Sequence, residues 1–368
     1  MRCRLQLLLG LYFILLSIAS AAAATVAFIN PGKHNELYWS TASSAMQDAA
    51  KQLGFSLEIS YAQRDPLRAI EIARLIAARP AQNQPDYIIF SNDHGTGPEI
   101  LKILAKTRSK TFLAFSTMAT PQEREQTQGP RQKYPNWIGS LVPDAEQAGY
   151  LSAKQLLTAA RQAQLYGPDR RLQVIAIAGD RSTPSSVLRN QGLQRAIAES
   201  PDAVLKQMVY AKWQQEKAAE QSRWLFARYP EARLVWSGSD MMAFGAMQSW
   251  EQAGGQVGKT AVFSAINTSP AAMAAIQNGR LSALAGGHHM NGAFALVMIY
   301  DYSHGLDFAR ESIELEAPMF GLISPQMAAK YQKKYGFHDF SQINFKAYSK
   351  YENPKNQKYV FTLASWLR

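Results

Sequence analysis

The sequence predicts an α/β protein of two doubly wound parallel-sheet lobes, and three observations lead to that class. Short apolar runs of β character alternate strictly with amphipathic helical stretches, the pattern of a parallel sheet covered on both faces. The alternation is broken once, by the polar, proline-punctuated stretch Thr120–Pro135, and then starts again. The chain has 368 residues, enough for two domains at roughly 150 residues each.

Thr25–Ile29 (TVAFI) reads as the first strand, and Ala42, Ala45, Ala49 and Leu53 mark one face of the helix after it, stopped by Gly54. A strand follows at Ser56–Tyr61. Asp65 and Pro66 then open a helix, the first as N-cap and the second at the first helical position. Tyr87–Phe90 is apolar throughout, as a strand buried on both faces should be. A helix from Pro98 and a strand at Thr111–Phe115 close the first set. The second set opens with a strand at Trp137–Val142 and a capping box, Asp144 to Gln147, for a helix reaching Gln162. Strands at Leu172–Ala178, Val204–Tyr210, Arg233–Ser237, Thr260–Ala265 and Leu281–Ala285 alternate with helices over Ser185–Glu199, Gln214–Arg228 and Asp240–Ala253 and from Ser269-Pro270. A helix over Met290–His304 precedes an irregular tail rich in Tyr, Phe and Lys.

The first 24 residues read as an address rather than as fold. Arg2 and Arg4 precede the apolar run Leu5–Ile18, and Ala21–Ala24 supplies small residues for cleavage near Ala24, the layout of a secretory signal peptide. Export to the periplasm is expected. Cys3, the one cysteine, precedes the apolar run and is not at a lipobox, so the mature protein would hold no thiol. The formal charge of +11 falls to +9 without Arg2 and Arg4, leaving 37 basic residues against 28 acidic. No basic stripe with interleaved aromatics appears, so nucleic acid is not an expected partner.

Ligands of an open parallel sheet bind beyond the carboxyl ends of its strands, which selects candidate residues without a motif. Tyr38 and Trp39 follow the first strand, and Asn92 and Asp93 follow Tyr87–Phe90. Arg189 lies one turn into the helix after Leu172–Ala178, and Trp213 follows Val204–Tyr210. Ser239 and Asp240, Asn267, and His288 with His289 follow later strands. Flat rings stack on the C–H faces of a sugar, while Asp, Asn and Arg pair with hydroxyls. Each has a plainer alternative: Tyr38 and Trp39 as helix-to-sheet core, Asp93 as an Asx-turn, Asp240 as an N-cap. The adjacent histidines lack the i,i+4 spacing of a helical metal pair, so no metal and no cofactor is expected, and one of the two should reach the cleft.

Four segments carry a resemblance: Phe28–Trp39 (FINPGKHNELYW), Arg189–Ile197 (RNQGLQRAI), Ser237–Gly254 (SGSDMMAFGAMQSWEQAG) and Gly286–Gly305 (GGHHMNGAFALVMIYDYSHG). The chain resembles the type I periplasmic solute-binding proteins, the ribose- and galactose-binding class, and most closely the long branch that includes LuxP. The resemblance implies two Rossmann-like lobes joined by a three-crossing hinge, over 25–136 plus 286–308 and over 137–285 plus 309–368. It implies a ligand-binding set of Tyr38, Trp39, Asn92, Asp93, Arg189, Trp213, Ser239, Asn267 and His288. Asn267 stands where sugar binders of the class often carry a carboxylate, and Gly287 or His288 where they carry Gln or Asp, a departure from a standard ribose or glucose site. The partners implied are a small sugar-like ligand and either an ABC-type permease or a periplasmic sensor domain, with the protein itself a monomer.

Two other classes fare worse. No nucleophile elbow, phosphate loop, dinucleotide fingerprint or HExxH occurs, so the expectation is a binding protein rather than an enzyme. A sugar-responsive repressor would need a DNA-binding headpiece where this chain has its leader.

Overall fold

The protein is described by a computed structural model over residues 23–336 and 338–367, so the expected signal peptide, 1–24, lies outside the described residues apart from Ala23 and Ala24. The chain alternates through β1 (Thr25–Asn30), α1 (Leu37–Leu53), β2 (Ser56–Tyr61), α2 (Pro66–Ala77), β3 (Tyr87–Phe90), α3 (Gly97–Leu104), β4 (Lys110–Ala114), α4 (Pro121–Thr127) and β5 (Trp137–Pro143). It continues through α5 (Ala145–Gln162), β6 (Leu172–Ala178), α6 (Pro184–Ala198), β7 (Ala203–Tyr210), α7 (Gln215–Arg228), β8 (Leu234–Ser237), α8 (Asp240–Gln252), β9 (Val262–Ile266), α9 (Pro270–Gln277) and β10 (Ala283–Gly286). Last come α10 (Asn291–Ser303), β11 (Glu314–Ala317), β12 (Gly321–Leu322), α11 (Pro325–Tyr335) and α12 (Leu363–Trp366).

Two six-stranded sheets result, ordered β11-β5-β4-β3-β1-β2 and β12-β10-β9-β8-β6-β7. All pairings are parallel except that of β12 with β10. Inner strands such as β3 and β6 are buried along their whole length, which is why they read as unbroken apolar runs. The helix caps form where the sequence suggests, except that the capping box at Asp144 is only half made, since Asp144 N donates to Ala317 O and not to Gln147. The Asp65 carboxylate accepts from Leu67 N at 2.9 Å, that of Asp144 accepts from Gln147 N at 2.9 Å, and Gly54 ends α1 in the left-handed region.

Between its strands the chain crosses from one sheet to the other three times: from β5 into α5, from β10 into α10, which packs on α1, and from β11 to β12. Asn291 braces the second passage, accepting from Phe115 N at 2.7 Å and donating to Leu141 O at 3.1 Å.

Three expectations are corrected. The strand expected at Trp137–Val142, taken to open the second lobe, is β5 and pairs with β4 in the first sheet. The polar break before it is a loop between neighbouring strands and carries α4, capped by Thr120 and Glu123, which apolar periodicity could not reveal. The tail does not belong to the second lobe alone. Although α11 packs on α9, Phe340 N donates to Asp48 (2.8 Å) and Phe345 N to Gln52 (3.1 Å), both on α1. The fully buried Asp301 of α10 fastens the tail further, accepting from the Ser349 hydroxyl, Lys350 N (2.8 Å), Tyr351 N (3.2 Å) and the Tyr359 hydroxyl (2.8 Å). Polar anchors of this kind leave no periodic trace in a sequence.

Candidate functional site

The carboxyl ends of both sheets face a common cavity of about 1170 Å³. It is lined from the first lobe by Tyr38, Trp39 and Asp93, from the second by Arg189, Trp213, Ser239 and Asn267, and by His288 on the passage from β10 to α10. Eight of the nine expected residues therefore meet in one place. Asn92 does not line it. Its side chain is spent on the loop itself: the amide oxygen accepts from Gly97 N at 2.8 Å, and the amide nitrogen donates to Thr117 O (3.1 Å) and Glu123 (3.0 Å).

On the first-lobe wall Tyr38 and Trp39 stand edge to face, ring centroids 5.0 Å apart. Trp39 is both core and wall: it packs on Phe28 and Phe115, is 4% exposed, and its indole N–H has no partner. Arg64, from the loop after β2, grips the Glu36 carboxylate with two donors, lies over the Trp39 ring, and holds Nη1 3.9 Å from Asp93. Asp93 accepts from the Ser91 and Ser116 hydroxyls on its other oxygen, at 2.8 and 3.2 Å.

On the second-lobe wall Trp213 sits in the left-handed region (φ 63) and donates from Nε1 to Asp180 at 2.7 Å. Burial would push the Asp180 carboxyl up, but donors from Thr183, Ser182 and Trp213 outweigh it and hold it below the usual range. Gly179 makes the space: a Cβ there would lie 2.2 Å from the Trp213 ring. Arg189 is 5% exposed, lies near the Trp213 and Phe320 rings (5.6 Å to each centroid), and donates to Gly238 O at 2.7 Å and to His288 Nε2 at 3.0 Å. Burial pulls its pKa down to about 10, so it stays charged at neutral pH.

The adjacent histidines diverge as neighbours must. The His288 ring lies between those of Tyr38 (centroids 4.8 Å apart) and Phe320 (4.2 Å). Because a guanidinium cannot accept, His288 Nε2 is the acceptor and the neutral ring carries its proton on Nδ1. Burial, with Arg189 beside it, holds its pKa far below the ordinary value. His289 turns toward Thr268 (3.1 Å) and the tail rings Phe340 and Trp366, and burial drives its pKa to about 3.

Asp240 was expected to cap α8, but Ser239 is the cap, accepting from Met242 N at 3.4 Å. Asp240 is instead a buried carboxylate of the cavity wall, raised by burial against its hydrogen bonds. It accepts from Asn267 Nδ2 at 2.9 Å, which explains the amide at 267: a carboxylate there would face Asp240 with like charge.

Sequence reasoning missed Gln63, Arg64, Thr268 and Phe320, all on the cavity wall. The strand-end rule, applied to β2, would have reached Gln63 and Arg64. Phe320 had no such signal, because it enters from the third passage between lobes. His94 Nδ1 and the Ser182 hydroxyl, 2.9 Å apart, join the two lobes at the same cavity. Among the described residues no cluster of His, Cys, Asp and Glu could hold a metal ion, and no helix is long and apolar enough to cross a membrane.

The family model described as a periplasmic binding protein domain matches residues 26–305. A solved structure from Pseudomonas fluorescens, described as a periplasmic sugar-binding protein, is 35% identical with a TM-score of 0.84, over 94% of this chain and 100% of that one. An ABC transporter periplasmic solute-binding protein from Actinobacillus succinogenes, solved with D-allose, has a TM-score of 0.70 at 18% identity, over 84% of this chain and 100% of that one. The periplasmic component of an arabinose ABC transporter from Shewanella, bound to L-arabinofuranose, has a TM-score of 0.69 at 19% identity, over 85% and 96%. At those identities the last two are alike in fold alone. No curated protein gives a significant match.

Proposed function

The chain belongs to the periplasmic binding protein family, whose members bind solutes rather than transform them, and on that premise we propose that it closes its two lobes on a small sugar-like ligand in the periplasm. Tyr38, Trp39, Asp93, Arg189, Trp213, Ser239, Asn267 and His288 are the proposed contacts. The observation that carries this reading is the cavity itself, about 1170 Å³, walled by rings and planar polar groups from both lobes. A ligand that touches both walls only when they are close together favours the closed form by that difference in contacts. Delivery to an ABC-type importer is the proposed use of the closed form, supported by the solute-binding proteins of ABC transporters among its structural likenesses. The signal-peptide-like layout of Arg2–Ala24 supports export.

Thermal-shift screening of the mature protein against sugars, polyols and inositols tests the reading, since a ligand at a hundredfold its Kd stabilises by about 2.7 kcal/mol. A panel without a single stabilising compound would refute it. Reconstitution with a permease would then separate import from a receptor role, in which the closed form would engage a sensor domain and transport nothing.

A further inference from the structure

The two walls of the cleft differ in how their charges are balanced. In the first lobe Arg64 is neutralised by Glu36, and one Asp93 oxygen has Arg64 Nη1 only at 3.9 Å, which leaves it able to accept from a hydroxyl. In the second lobe Arg189 has no carboxylate within 4.0 Å among the described residues. Its partners are a carbonyl and a neutral imidazole, and only two of its five N–H groups are used. Asp180 and Asp240, the acids of that wall, are already bonded to Thr183, Trp213 and Asn267. Asp240 acts on Arg189 only at longer range, and a cation this deeply buried with no carboxylate in contact is costly unless something supplies one.

A second observation has the same sense. Trp39 Nε1, Arg189 Nε and His288 Nδ1, along with His289 Nε2, are buried without a partner on side chains lining the cavity. The first two are donors by nature, and the third is a donor because His288 Nε2 accepts from Arg189. Unpaired groups that only donate call for a ligand that only accepts.

We infer that the ligand is a polyhydroxylated acid, its hydroxyls toward Asp93 in the first lobe and its carboxylate paired with Arg189 in the second. This rests on the sugar-binding reading and narrows it to sugar acids. A carboxylate carries the single negative charge that one buried guanidinium can match, and its flat oxygen pair fits that fork. A sugar phosphate, near −2 at neutral pH, would bring a second charge into a wall with one buried cation.

The test uses wild-type mature protein and matched compounds: galactose against galacturonate, glucose against glucuronate and gluconate, and the corresponding 6-phosphates, by titration calorimetry at pH 7. At least one acid should bind roughly tenfold to a hundredfold more tightly than its neutral partner, the range expected of a hydrogen-bonded charge. Arg189→Met should erase that preference, whereas Arg189→Lys should keep part of it. A neutral sugar bound as tightly as its acid overturns the inference and leaves the sugar-binding reading standing. Preference for a phosphate overturns the carboxylate. Binding of no sugar, acid or phosphate overturns the inference together with the reading beneath it.

Discussion

Replacing Gly179 with alanine tests whether this glycine exists to admit the Trp213 ring. The added Cβ would stand 2.2, 2.4 and 2.5 Å from three ring atoms, where ordinary contact begins near 3.4 Å. The ring must therefore withdraw by more than an ångström, which breaks its 2.7 Å bond to Asp180. Overpacking of this kind costs about 1–3 kcal/mol, and urea denaturation of the apo protein should show that loss. Trp213→Ala removes the obstacle, so Gly179→Ala added to it should cost almost nothing further. A double-mutant cycle would then return a coupling nearly equal to the whole single-mutant cost. Additive costs, within about 0.5 kcal/mol, would refute the explanation. Backbone conformation does not confuse the result, since Gly179 is not among the positive-φ glycines.

Asp301→Asn should loosen the tail: whichever oxygen becomes the amide nitrogen, it would face a backbone N–H, of Lys350 or Tyr351, donor against donor, at a cost of about 1–3 kcal/mol for a buried group left unpaired. Limited proteolysis should cut the variant after Asp339 first, and an unchanged melting temperature would argue against the anchor. Stability should also fall as the pH drops. His288 and His289 have folded pKa values below the unfolded value near 6.5, so the unfolded chain binds more protons under that pH. The His289 ring should therefore cost roughly 2 kcal/mol between pH 6.5 and 5, His288 acts in the same direction, and denaturation at pH 7, 6 and 5 should show a slope that His289→Gln reduces. Asn92→Ala should lower stability by about 1–3 kcal/mol through its lost loop bonds, yet leave ligand affinity within threefold. A large loss of affinity with unchanged stability would return Asn92 to the site.

The strand-end rule picked out most of its candidates on one cavity wall because it depends only on topology. Once alternating elements make a parallel sheet, the residues after each strand share one edge, as Tyr38, Asp93, Arg189 and His288 do. It failed where proximity is not purpose: Asn92 follows a strand but points back into its own loop. It also failed where a residue arrives from elsewhere, as Phe320 does from the antiparallel end of the second sheet. The first lobe's extent was misjudged at Trp137 because a polar break looks the same within a lobe as between two.

Local patterning settled the alternation of strand and helix, the caps at Asp65 and Asp144, and the family likeness, because each depends on neighbours a few residues apart. Pairing within the cavity wall depends on groups far apart in the chain that meet only after the sheets have formed. Arg189 finds His288 at a separation of 99 residues, and Asn267 finds Asp240 at 27. The tertiary structure alone decides that Glu36 neutralises Arg64 while Arg189, equally basic in the sequence, is left without a carboxylate.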